Sequence, residues 1–77
     1  MSVEYDRDAD ALYVRLAKKP VATTRSLGNG RTVDFAEDGS VVGVEFFAVS
    51  EGVDLADIPE EHQVRRSLEG SDIRVLA

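Results

Sequence analysis

The sequence predicts a small α+β domain: an antiparallel β-meander of about four strands over residues 3–50, then a helical extension and tail over residues 53–77 with one C-terminal helix and a short terminal strand. Three observations carry this expectation. From Val3 to Val49, short apolar runs are broken by turn residues at intervals of about ten, the spacing of strands joined by hairpins. Asp38-Gly39 sits between two alternating runs, the pattern of a two-residue hairpin loop. After Gly52 the period changes, and Asp57-Ile58-Pro59-Glu60 has the form of a capping box ahead of a helix that stops at Gly70. A chain of 77 residues has room for one core, so residues 1–77 are read as a single domain.

The elements follow in order. Val3-Glu4-Tyr5 alternates and meets the polar stretch Asp6 to Asp10, short enough for a hairpin loop. In Ala11 to Leu16, the aliphatics Leu12, Val14 and Leu16 share one face. Lys18-Lys19-Pro20 interrupts that strand, because proline cannot donate to a ladder. Val21 to Leu27 is rich in Thr and Ser and reads as an edge strand. Gly28-Asn29-Gly30 supplies positions tolerant of positive φ for a reversal. The loop at Asp38-Gly39 sets a register of Glu37 opposite Ser40, Phe35 opposite Val42 and Val33 opposite Val44. Val33, Phe35, Val42, Val44 and Phe46 then share one face. Thr32, Asp34, Ala36, Val41, Gly43 and Glu45 share the other. In the helix, Ile58, Val64 and Leu68 form a thin apolar stripe, and Ile73 to Leu76 alternates like a strand that pairs with an open sheet edge.

Composition narrows the function classes. The chain has 9 basic and 15 acidic residues, a net charge of −6, a field that repels phosphate backbones and anionic lipid surfaces. Neither nucleic acid nor membrane is an expected partner, whereas a small basic protein is. The acidity is concentrated before Pro59, where 11 of the acids stand against 6 of the bases. No apolar run approaches the ~20 residues that span a bilayer, and the opening Met1-Ser2-Val3-Glu4-Tyr5-Asp6 does not resemble a secretion signal, so a cytoplasmic location is expected. With no cysteine and a single histidine, His62, thiolate and most imidazole chemistry is excluded and no cofactor is expected.

The stretch Tyr5-Asp6-Arg7-Asp8-Ala9-Asp10-Ala11-Leu12-Tyr13, followed by Val33-Asp34-Phe35, Asp38-Gly39 and Val42-Gly43-Val44-Glu45-Phe46, resembles the bacterial family called domain of unknown function 2283, over about residues 3–50. The resemblance implies a small, mostly antiparallel cytoplasmic β domain without an assigned activity. It also implies an antitoxin-like role for part of the family, some of whose members neighbour genes for small basic RNase-like toxins.

Candidate sites are few. Asp34 and Glu45 are diagonal neighbours on one face of the expected hairpin, with Gly43 opposite Asp34 and Thr32 opposite Glu45. Two carboxylates so placed could bind a hard cation or share a proton, the basis of an alternative reading as a small metal-dependent or acid/base hydrolase. Their ordinary role is a hydrogen-bonded sheet face, and no residue is assigned as catalytic or metal-binding. Asp6, Asp8 and Asp10 lack the glycine and downstream glutamate of a calcium loop and read as a turn. Tyr5 and Tyr13 flank the first loop and are expected to pair across it. The last sheet strand is apolar on both sides at Phe46, Phe47 and Val49, which marks those residues as candidates for a homodimer interface, with a folded-back tail as the other way to cover them. The favoured expectation is a non-enzymatic protein–protein interaction module.

Overall fold

A computed structural model describes residues 2–76. It contains β1 (Ser2–Asp6), β2 (Ala11–Arg15), β3 (Thr23–Gly28), β4 (Arg31–Phe35), β5 (Val41–Phe47), a 3-10 turn (Val49–Glu51), β6 (Val53–Asp54), α1 (Glu61–Leu68) and β7 (Val75–Leu76). The α+β class holds: an antiparallel sheet, one C-terminal helix and a short terminal strand. The sheet has five strands instead of about four, in the order β1-β2-β5-β4-β3. Strands β3, β4 and β5 form a meander. The β2–β3 connection departs from one, since β2 pairs with β5 and the chain crosses to the far edge before returning. As its polar composition predicts, β3 is an edge strand.

The turns explain the register. At Asn29-Gly30 both residues have positive φ (54° and 70°) and Gly28 pairs with Arg31, the geometry of a type I′ hairpin. The Asp38-Gly39 turn, expected to take that form, is one residue longer. Ala36 N–H donates to Ser40 O at 2.8 Å, Gly39 N–H donates to Ala36 O at 2.9 Å, and only Gly39 has positive φ. Ser40 explains the difference, because its N–H and hydroxyl both donate to Asp38 Oδ1, at 2.9 and 2.6 Å, and hold a wider loop. Lys19 Nζ donates to Asp38 Oδ2 at 2.8 Å, which ties the β2–β3 connection to this turn and, with Ser40, holds the Asp38 carboxyl well below the usual carboxylate range. Phe35 therefore faces Val41, not Val42. A bulge between Asp34 and Phe35 then restores the expected register, with Asp34 opposite Gly43, Val33 opposite Val44 and Thr32 opposite Glu45. Val41, assigned from sequence to the outer face, instead packs against the core beside Phe35.

The inner face carries Leu12, Val14, Val33, Val44 and Phe46, and the C-terminal segment covers it with Val49, Val53, Leu55, Ile58, Val64 and Leu68. Phe46 and Val49, expected at a subunit interface, thus lie in the chain's own core. The folded-back tail covers them, and of the three candidates only Phe47 stays open, at 44% exposure. The helix is shorter than its sequence markers suggest. Burial of both Leu55 and Ile58 takes two successive tight turns, with Asp57 (φ 60°) and Glu60 (φ 57°) in the left-handed region, so Asp57 cannot cap and α1 starts at Glu61 without a side-chain cap. The terminal strand does not join the main sheet. β7 pairs in parallel with β6, as a separate two-stranded ribbon.

One side chain fastens this layer to the sheet. Arg31, at the start of β4, is on the inner face opposite Phe46 and only 6% exposed. Its guanidinium donates to the carbonyls of Leu27 and Gly28 in its own hairpin (3.3 and 3.1 Å), to Asp54 O at 3.2 Å and to Ala56 O, with the Asp54 carboxylate 4.0 Å away. Only a planar fork of donors reaches carbonyls on both sides of the layer boundary at once. Replacing Arg31 with Met leaves the Asp54 and Ala56 carbonyls without their donor and is expected to cost about 2–4 kcal/mol. A urea midpoint close to that of the parent chain would contradict this.

Candidate functional site

The outer face of the sheet is built from alternate residues of all five strands. One row across it reads Glu4, Tyr13, Glu45, Thr32 and Ser26, and the next reads Ser2, Arg15, Gly43, Asp34 and Thr24. At the hairpin end, Asp6, Ala11 and Phe47 form a third row. Asp34 and Glu45 therefore share a face, with the opposite residues the sequence predicts. Among strand residues on this side, Glu4, Asp6, Asp34 and Glu45 stand against one base, Arg15, which accounts for half of the chain's net charge of −6.

Tyr13 organises the middle of the face. Its ring lies across Gly43, where a Cβ would overlap the phenol hydroxyl. That crossing lets the hydroxyl donate to Asp34 Oδ2 at 2.8 Å, while Thr24 Oγ1 donates to Asp34 Oδ1 at 2.6 Å. The resulting belt joins β2 to β4 and β3, passing over β5. The Arg15 guanidinium carbon stands 5.3 Å from the Tyr13 ring centroid, within cation–π range. Burial, then the hydrogen bond to Asp34 and its charge, push the Tyr13 phenol up to about 12. It is held as a donor and is no base near neutral pH. Both Asp34 oxygens have hydroxyl partners, so this carboxylate is a structural acceptor. Among the described residues, no group of three or more His, Asp or Glu is disposed to hold a metal ion.

The first loop is equally structural. Asp6 Oδ1 accepts from the N–H groups of Asp8 (3.0 Å) and Ala9 (3.2 Å) and closes the turn. Asp10, in the left-handed region at φ 52°, reaches the neighbouring 3-10 turn that follows β5. Its carboxylate accepts from Ser50 N–H (3.0 Å), Ser50 Oγ (2.7 Å) and Tyr5 OH (3.2 Å), and its carbonyl accepts from Val49 N–H (3.1 Å). The Ser50 hydroxyl, foremost, lowers the Asp10 carboxyl below its ordinary range. Tyr5 and Tyr13 do not pair, a correction that follows from register. Tyr5 faces Leu12 on the inner side and Glu4 faces Tyr13 on the outer. His62 lies exposed on α1.

Sequence reasoning placed the two acids but missed their partners. Gly43 was already positioned opposite Asp34, a bare patch of backbone waiting for a neighbour's ring. Placing Tyr13 there also required the β2–β5 pairing, and no local signal marks that pairing.

A model for a family described as protein of unknown function, DUF2283, matches residues 2–50, which takes in the five-stranded sheet and the start of the 3-10 turn but not β6, α1 or β7. No curated protein and no solved structure matches the chain.

The raised Tyr13 phenol has a definite linkage sign. A folded pKa above the unfolded value of about 10 contributes stability that is fully present below pH 10 and is lost as pH rises through about 12. Stability of the parent chain is therefore expected to fall across that window, and the fall should be shallower in Tyr13→Phe. Tyrosinate absorbance titration checks the assignment: a variant that ionises like the parent would refute it.

Proposed function

The chain belongs to the DUF2283 family of proteins of unknown function, and we propose that it is a non-catalytic module that binds a basic protein through the acidic outer face of its sheet. The observation that carries this reading is the separation of roles between the two faces. The inner face is spent on the C-terminal layer, whereas the outer face presents Glu4, Asp6 and Glu45 beside Phe47, an exposed aromatic on a rigid strand. Acids of one sign around an apolar anchor steer an oppositely charged protein into contact and then hold it. Asp34 serves this surface indirectly, by fixing Tyr13 flat across the sheet. The engagement of both Asp34 oxygens by Tyr13 and Thr24 supports this reading over a hydrolase built on Asp34 and Glu45. A cytoplasmic setting, and an antitoxin-like partnership with a small basic protein, fit this reading. No helix among the described residues is long and apolar enough to cross a membrane.

Charge reversal on this face tests the proposal. Proteins captured from host lysate at low salt should be basic, should be released as salt shortens the range of charge interactions, and should be lost by Glu4→Lys/Glu45→Lys. They should be retained by Glu61→Lys/Glu69→Lys, which changes charge equally at the two ends of the helical segment. Equal capture by both double variants, or no capture at low salt, would overturn it.

A further inference from the structure

The two edges of the main sheet differ. β3 is bulged between Ser26 and Gly28 and carries Arg25 on a run of Thr and Ser, features that blunt an edge. β1 pairs with β2 without a register break over all five residues, and every one of its residues is exposed. Alternate residues of β1 therefore direct N–H and C=O groups into open solvent, a template for one more strand.

Its two faces differ in chemistry. On the inner side, Val3 (38% exposed) and Tyr5 (50% exposed) border a groove of about 470 Å³ closed below by Val49, Ile73 and Arg74. On the outer side, Glu4 and Asp6 border a depression of about 280 Å³ that also takes in Tyr13, Glu45 and Phe47. A strand laid along β1 sends its side chains alternately to one side and the other. Apolar residues then extend the Val3 and Tyr5 row over the groove, and basic residues extend the acidic row.

Charge also decides between occupants. A second copy paired antiparallel about the centre of β1 sets Glu4 directly opposite Glu4, which is unfavourable. We propose that β1 is a strand-addition site for an extended segment of a partner protein in which basic and apolar residues alternate. This rests on the basic-partner reading above and adds where and in what conformation such a partner is held.

The test uses the full chain and a labelled peptide, acetyl-Lys-Val-Lys-Val-Lys-Val-Lys-amide, followed by fluorescence anisotropy at low salt. Two further peptides of identical charge carry N-methyl groups on alternate amides, one on each of the two sets. A strand added to β1 uses only one set, so one methylated peptide should bind about tenfold or more weakly and the other within about threefold of the parent peptide. If the two methylated peptides bind alike, strong or weak, strand addition is overturned while binding to the acidic face stands. If the parent peptide fails to bind but charge-dependent capture of basic proteins succeeds, this inference alone falls; if both fail, the basic-partner reading falls with it.

Discussion

The buried Arg31 guanidinium is the constraint on which the rest of the molecule depends. A charge taken out of water must be surrounded by acceptors, and here these are carbonyls at the end of the β3–β4 hairpin and in and just after β6. A thin C-terminal layer with one eight-residue helix would dock loosely through Val64 and Leu68 alone. Arg31 fixes where that layer begins, and the apolar side chains of Val53, Leu55 and Ile58 then close over Phe46 and Val44. The Asp10 bracket to Ser50 does the same at the first hairpin, so two polar anchors hold the opening stretch of the segment that covers the core.

Function follows from what that cover leaves open. A five-stranded sheet has two faces and two edges. One face is closed by the C-terminal layer, and the bulged edge at β3 is blunted. What remains is the acidic face, rigidified from β2 to β3 by the Tyr13–Asp34–Thr24 belt, and the straight edge at β1. Much of the family motif is explained as architecture: Asp6 closes a turn, Asp10 anchors the 3-10 segment, Gly43 clears space for Tyr13, and Asp38 shapes the second hairpin. Glu4 and Glu45 have no such task among the described hydrogen bonds and ion pairs, and residues free of structural duty are where binding is sought.

How much of this was legible in the sequence depended on range. Alternation placed Leu12, Val14, Val33, Val44 and Phe46 on one face, because burial on one side of a strand writes a period of two into the chain. The pair Asp34 and Glu45 was legible for the same reason. Their register survived an error in the turn, since the longer loop at Asp38-Gly39 is offset by the bulge after Asp34. Long-range choices were not legible. Nothing near Tyr13 signals that β2 lies beside β5, and a lone Arg31 in a Gly-rich turn gives no sign that its guanidinium is buried under residues more than twenty positions away. The expectation that Phe46 and Val49 lie at a subunit interface arose from the same gap: both need cover, and the chain supplies it from its own tail.

If Arg31 makes the C-terminal layer part of one cooperative unit, the layer must open only when the sheet does. Native-state hydrogen exchange at the amides of Val53 and Val64, both hydrogen-bonded within that layer, against those of Val33 and Val44 in the central strands tests this directly. Opening free energies within about 1 kcal/mol of one another are expected. Exchange at Val53 and Val64 through a separate opening, several kcal/mol below that of the sheet, would contradict it and return the inner face to the surfaces available for binding.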